Sequence, residues 1–274
     1  MLPAASVGVR CKREHMFVPA GRPDYQYRQV MRLLDDGLSD YEVGRRTGIP
    51  RSTVLNWRRR TSPPVNRRLF MSPVALRAWR PADLRAYAYL LGLYLGDGCI
   101  VEVRRCTPRL VLVLDARYGR ILDEADAAIR RVVTGIDVRR NTRDGCIALV
   151  VTHPVWPSAF PQHGPGRKHT RSIKLVGWQL EITRQHPKPL VRGLIHSDGS
   201  RCTNRFKTRL PSGRVAEYAY TRYFFTNYSA DIRGIFCEHC DLLGIRWTQS
   251  SFKNISISHR DSVALLDSFV GPKA

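Results

Sequence analysis

Two segments of this chain repeat one pattern, and they constrain its fold more than any other feature. Leu90-Leu91-Gly92-Leu93-Tyr94-Leu95-Gly96-Asp97-Gly98 aligns without a gap on Val191-Arg192-Gly193-Leu194-Ile195-His196-Ser197-Asp198-Gly199. Small residues recur every fourth position in both, as Ala88, Gly92 and Gly96 and as Pro189, Gly193 and Ser197. Residues four apart share one face of a helix, so each copy presents a stripe without bulk. Two such stripes let two helices cross with their backbones nearly touching. Pro81 and Pro189 stand near the expected first turns, where a missing N–H costs nothing. The acid lies one residue past the last small one in each copy. A crossed pair therefore brings Asp97 and Asp198 together at two helix C-termini.

Two adjacent carboxylates repel and require a shared proton or a cation. Helix C-termini add unpaired carbonyls and partial negative charge. Oxygen donors of this kind suit Mg²⁺, with Mn²⁺ as the alternative. A metal held there can activate water and stabilise the leaving oxygen of a phosphodiester. A lone Gly-Asp-Gly is ordinarily a turn; two matched copies on small-striped helices point instead to a site. Each copy is followed by strand-like alternation, a second helical pattern, more alternation and a last helix. The expected class is α+β, with pseudo-symmetric αββαββα repeats over 81–187 and 188–274.

Ahead of them, 1–22 has no period and is expected to be disordered, 23–60 reads as a compact helical domain, and 61–80 as a basic linker. Tyr27, Val30, Met31 and Leu34 line one face of a first helix, Asp24 to Asp36. Ser39 caps a second helix, in which Gly44 allows close approach to the next. A third begins at Arg51, buries Val54 and Trp57 together with the preceding Ile49, and leaves Arg51, Ser52, Thr53, Asn56 and Arg58 outside. This order resembles the helix-turn-helix fold, whose third helix enters the major groove. Residues of these types read base edges or hold phosphate.

The charge agrees. Lys and Arg number 45 against 23 acids, a formal charge of +22. Such an excess opposes a compact state until a polyanion relieves it, and nucleic acid is the usual one. No run reaches the ~18 apolar residues of a membrane helix, and no signal peptide is evident, so a cytoplasmic, nucleoid-associated protein is expected. The seven cysteines are read as reduced thiols. Cys237 and Cys240, with His239 between them, fall in an apolar helical pattern and are read as buried residues rather than a zinc site.

The repeated motif resembles the LAGLIDADG homing-endonuclease family over about 81–271, in the two-repeat, single-chain form. The resemblance implies a saddle of two sheets on duplex DNA, a monomer with internal two-fold symmetry, and metal binding by the penultimate Asp of each motif, here Asp97 and Asp198. The motif's earlier Asp is replaced by Leu95 and His196. A basic residue late in each repeat assists the chemistry in that family. Candidates are Lys174 in the first repeat and Lys253 or Arg260 in the second, with His153 and His259 at similar places. The combination with a helix-turn-helix also resembles WhiA-type transcription regulators, which bind DNA without cutting. The implied function is thus a DNA endonuclease or a regulator with a silent core.

The groove-facing set follows from a period of two. Arg201, Thr203, Arg205, Lys207 and Arg209 share a face of one strand, with Tyr220 and Arg222 of the next expected in the same frame. Arg139, Asn141 and Arg143 alternate likewise in the first repeat. A ribbon of such residues fits the major groove.

Overall fold

The computed structural model describes residues 24–59, 76, 78–103, 106–271 and 273. The segment 1–22 and most of 61–80 therefore lie outside the described residues. The chain divides into two compact units, Met1–Phe70 and Met71–Ala274.

The first unit is three helices, α1 (Asp24–Asp35), α2 (Asp40–Thr47) and α3 (Arg51–Arg58). Tyr27, Val30, Val43, Ile49, Val54 and Trp57 form its core, with Tyr27 edge-on to Trp57. Ser39 and Glu42 make a reciprocal capping box at the start of α2, which satisfies two backbone donors that the helix cannot. A Cβ on Gly44 would lie 2.9 Å from the Ile49 carbonyl oxygen, so the turn into α3 packs on bare backbone there.

In the second unit α4 (Leu84–Asp97), α5 (Gly119–Val132) and α6 (Trp156–Ala159) alternate with β1 (Gly98–Val101), β2 (Arg109–Asp115), β3 (Arg139–Arg143) and β4 (Cys146–Thr152). After α7 (Gly177–Gln185), the second repeat runs α8 (Pro187–Asp198), β5 (Gly199–Arg209), β6 (Val215–Thr226), α9 (Ala230–Leu242), β7 (Thr248–Gln249), β8 (Asn254–Ile257) and α10 (Arg260–Phe269). Both sheets are antiparallel and share one order, β1-β2-β4-β3 and β5-β6-β8-β7. The expected double αββαββα arrangement is what the chain adopts.

The helices α4 and α8 cross on their glycines. A Cβ on Gly92 would lie 2.5 Å from the Leu190 carbonyl oxygen, and one on Gly193 would overlap the Tyr89 carbonyl. Around this crossing nearly all of α4 is buried, including Tyr87, Leu90, Leu91 and Leu95. The start of α4 differs from expectation. Pro81 precedes the helix, and Asp83 caps it by accepting from the Ala86 N–H, a stronger device than a proline because it satisfies a donor. Leu76 and Trp79, at the end of the expected linker, pack on the core of this unit. Trp79 stands edge-on to Tyr87 and Trp178.

Candidate functional site

Asp97 and Asp198 are the last residues of α4 and α8. Where the helices cross, a Cβ on Gly96 would come within 2.8 Å of Asp198 Oδ2. The second carboxylate thus rests against the residue beside the first. Both acids are half-buried. Burial, and then the negative charge of Asp198, push the Asp97 carboxyl up to about 7, with partial relief from Lys273 and Lys168. Burial also raises Asp198, against an opposing hydrogen bond from Asn227 and the same two lysines. Asn227 Nδ2 donates to Asp198 Oδ2 at 2.7 Å. Its own Oδ1 accepts from the Ser229 N–H, which fixes the amide's orientation.

The lysines occupy matching places. Lys168 Nζ donates to the carbonyls of Tyr94, Leu95 and Gly96 at the end of α4. Lys273 Nζ donates to the Ser197 carbonyl at the end of α8. Ser197 is the counterpart of Gly96, so each motif helix has its terminal carbonyls capped by one ammonium, a favourable placement at a helix C-terminus. Burial depresses both lysines, Lys168 to about 8, although the two aspartates hold them up. Sequence reasoning sought these cations at Lys174 and Lys253. Lys174 is exposed, and Lys253 lies against the rings of Tyr228 and Phe252. A usable signal was present, because Gly164-Pro165-Gly166-Arg167-Lys168 and Gly271-Pro272-Lys273 share a Gly-Pro approach to the lysine.

The other candidates stand apart from the pair. His153 is buried and accepts from the Val155 N–H. His259 neighbours Arg246 and Asp261, and Arg260 is an exposed first residue of α10. At the motif's altered positions, Leu95 is fully buried. His196 contacts the Tyr89 hydroxyl at 2.9 Å, and burial lowers it to about 4, so it serves as a neutral packing group.

The sheets divide the expected DNA-facing residues. Directly paired residues project to the same face. In the first sheet Arg139, Asn141 and Arg143 pair with Val150, Ala148 and Cys146 on the face turned away from buried Leu110, Leu112 and Leu149. In the second sheet Arg222 pairs with Cys202 and Tyr220 with Asn204, whereas Arg201 pairs with Tyr223. The expectation that Arg222 and Tyr220 share a frame with Arg201, Thr203, Arg205, Lys207 and Arg209 is therefore corrected. Tyr223 and Phe225 must point into the core, which turns every odd position of β5 and β6 to the helix side and Arg222 to the outer face. Arg201 is bound there by both carboxylate oxygens of Asp267 in α10. Arg205, Lys207 and Arg209 continue this face as exposed residues.

On α3, Arg51, Ser52, Asn56 and Arg58 are exposed and Thr53 is half-buried. Arg58 pairs with Asp40 at 3.3 Å, an exposed contact that holds it weakly. Cys237, His239 and Cys240 are buried on α9, and among the described residues no group of three or more His, Cys, Asp or Glu gathers as a metal site. No helix among the described residues is long and apolar enough to cross a membrane.

Comparison with known proteins adds the following. Residues 28–62 match the homeodomain-like domain family. The fold is similar to that of the homing endonuclease I-DmoI, solved in complex with DNA and Mn, at 16% identity over 70% of this chain and 99% of that one, with a TM-score of 0.44. The LAGLIDADG meganuclease I-AabMI, bound to uncleaved DNA, is similar at 10% identity over 67% and 82%, with a TM-score of 0.42. The N-terminal LAGLIDADG domain of WhiA is similar at 13% identity over 70% and 83%, with a TM-score of 0.38. A comparison with curated proteins gave no match.

Proposed function

We propose that the protein is a site-specific, double-stranded-DNA endonuclease acting as a monomer, with α3 and the outer sheet faces as its reading surfaces. The observation that carries this reading is the pair of aspartates at two crossed helix ends, each helix capped by its own half-buried lysine. The pair fits a hard divalent cation. Its donors are oxygens, and Asp97 is raised first by burial and then by the charge of Asp198, the second of which a cation relieves. Asp97 and Asp198 would hold Mg²⁺ or Mn²⁺, with further ligands from substrate phosphate and water. The bound ion would supply an activated water and charge stabilisation at phosphorus. Lys168, lowered to about 8 mainly by burial while Asp198 and Asp97 hold it up, brings a half-buried ammonium to the acids. Asn227 orients Asp198. Arg139, Asn141, Arg143 and Arg222 meet the groove, while Arg205, Lys207 and Arg209 reach phosphates.

One observation favours a second reading, a regulator with a silent core. Two ammonium groups already stand against two carboxylates, so the chain itself can balance the pair without a metal.

Both readings require DNA, and salt tests that requirement. With on the order of ten phosphate contacts, affinity falls by roughly 10³–10⁵ between low and moderate salt. A flat salt series on sites selected from random duplex DNA would remove both readings. Within the first unit, Asn56→Ala is expected to cost about 1–3 kcal/mol on the selected site and to relax its sequence preference. Unchanged affinity and preference would move base reading away from α3.

A further inference from the structure

The two motif helices match in their small residues but not along the neighbouring stripe. In the gapless alignment of the motifs, Tyr87, Leu91 and Leu95 of α4 correspond to Lys188, Arg192 and His196 of α8. The first three are fully buried, and Tyr87 packs among the rings of Trp79, Phe160 and Trp178. Their counterparts carry charge or nitrogen in place of an apolar filling. Lys188 is exposed and Arg192 half-buried, and both line an open cavity of about 530 Å³. The walls come from α4 with its cap Asp83, α5, α8 and the end of α10, and no strand contributes. The cavity thus lies on the N-terminal halves of α4 and α8, whereas Asp97 and Asp198 end these helices. Roughly 18 Å of helix rise separates Arg85 in its wall from Asp97.

A cavity of this volume takes a small organic molecule and is too large for a single ion. Charge identifies one end of the occupant. Arg85, Arg131 and Lys188 enter from three different helices. The two acids of the wall are already engaged: Asp83 accepts from the Ala86 N–H, and Arg192 holds both carboxylate oxygens of Glu124 at 2.8 Å. Three cations without a carboxylate partner among the described residues therefore share one cavity. A carboxylate is satisfied by one guanidinium, whereas a phosphate dianion takes several cationic donors and matches the arginine fork. The rest of the wall is apolar, with Ala86, Tyr89 and Ala128 buried and the ring of Phe269 half-buried. The Lys188 ammonium lies 5.8 Å from the Phe269 centroid, so the charged and the aromatic parts of the wall adjoin. We propose that this cavity binds a nucleoside monophosphate, with its phosphate on Arg85, Arg131 and Lys188 and its base against Phe269 and the alanines. The site is separate from the aspartate pair, and its occupancy does not depend on whether the chain cuts DNA.

The test is isothermal titration of the full chain with AMP, GMP, CMP and UMP, and with inorganic phosphate and adenosine, at fixed ionic strength. At least one nucleotide is expected to bind one per chain, roughly tenfold or more tightly than phosphate or adenosine. Arg131→Ala should weaken that binding by roughly tenfold or more. Ala127→Trp keeps every charge and fills the cavity from an exposed position in its wall, so it should abolish binding. Because both positions are exposed, both variants should melt with the parent, which excludes a folding defect. Random-sequence duplex DNA added to the titration should leave the nucleotide in place. Absence of binding by all four nucleotides overturns the proposal. So does phosphate binding as tightly as any nucleotide, which would mark an adventitious anion only. Full binding by Ala127→Trp, or displacement by duplex, overturns it as well by moving the nucleotide to the basic surface.

Discussion

Gly193→Val is expected to destabilise the second unit by about 3 kcal/mol or more, at the upper end of what overpacking costs. A Cβ there would overlap the Tyr89 carbonyl and sit 3.0 Å from Gly92 Cα and the Leu93 nitrogen. These are backbone atoms of a buried helix and cannot rotate aside as a side chain would. Nor can the helices slide apart cheaply, because the contact is reciprocal: Gly92 meets the Leu190 carbonyl from the other side. Gly234, inside α9, is the opposite case, with nothing within 4 Å of an added Cβ. Gly234→Ala should stabilise by roughly 0.5–1 kcal/mol through helix propensity alone. Thermal or urea unfolding of both variants checks the pair. A Gly193→Val protein that melts with its parent would mean that α4 and α8 do not cross on their glycines.

The crossing was legible in the sequence because it depends on a local property, small residues at helical spacing, present twice. Placing Asp97 and Asp198 together follows from that spacing alone. The core of the first unit was legible for the same reason, with Ile49, Val54 and Trp57 buried where the pattern puts them. The lysines were not. Lys168 reaches α4 across a long irregular segment and Lys273 reaches α8 from beyond α10, so neither distance is set by a period. Residue type and position late in the repeat could not separate Lys168 from Lys174. Strand parity was also hidden. β5 and β6 each alternate cleanly, but which parity of one shares a face with which of the other depends on pairing, and the buried Tyr223 and Phe225 decide it. Asn227 gave no signal, since its role arises only from its contact with Asp198.

Asp97→Asn and Asp198→Asn are each expected to abolish metal-dependent cutting while sparing DNA binding. Asn preserves shape and the helix end but removes the charge that would hold the cation. The same variants carry a signature independent of activity. Asp97 is raised to about 7, so the folded protein holds this proton more tightly than the unfolded chain. Its ionisation therefore removes stability as pH rises from the ordinary carboxylate range through about 7. Buried His196 and His239, both lowered, give the opposite trend, with stability lost as pH falls below the ordinary histidine value. They do so in parent and variant alike. The difference between the two proteins reports Asp97 together with Lys168 and Lys273, whose charges it helps to hold: between the ordinary carboxylate range and about 7, Asp97→Asn should gain on its parent as pH rises, by a few degrees in Tm if the effect reaches about 1 kcal/mol. Mg²⁺ should close that gap by stabilising the parent alone. A constant gap across pH, or equal Mg²⁺ effects, would detach Asp97 from any cation.

The most direct test is incubation of the parent protein with its own selected duplex site in Mg²⁺ and, separately, in Mn²⁺, with both strands followed on a denaturing gel. The endonuclease reading expects cleavage of both strands at a fixed position, abolished by either Asp→Asn change. Tight binding with both strands left intact in both metals would contradict it, and would identify Asp97, Asp198, Lys168 and Lys273 as a self-neutralised cluster within a DNA-binding regulator.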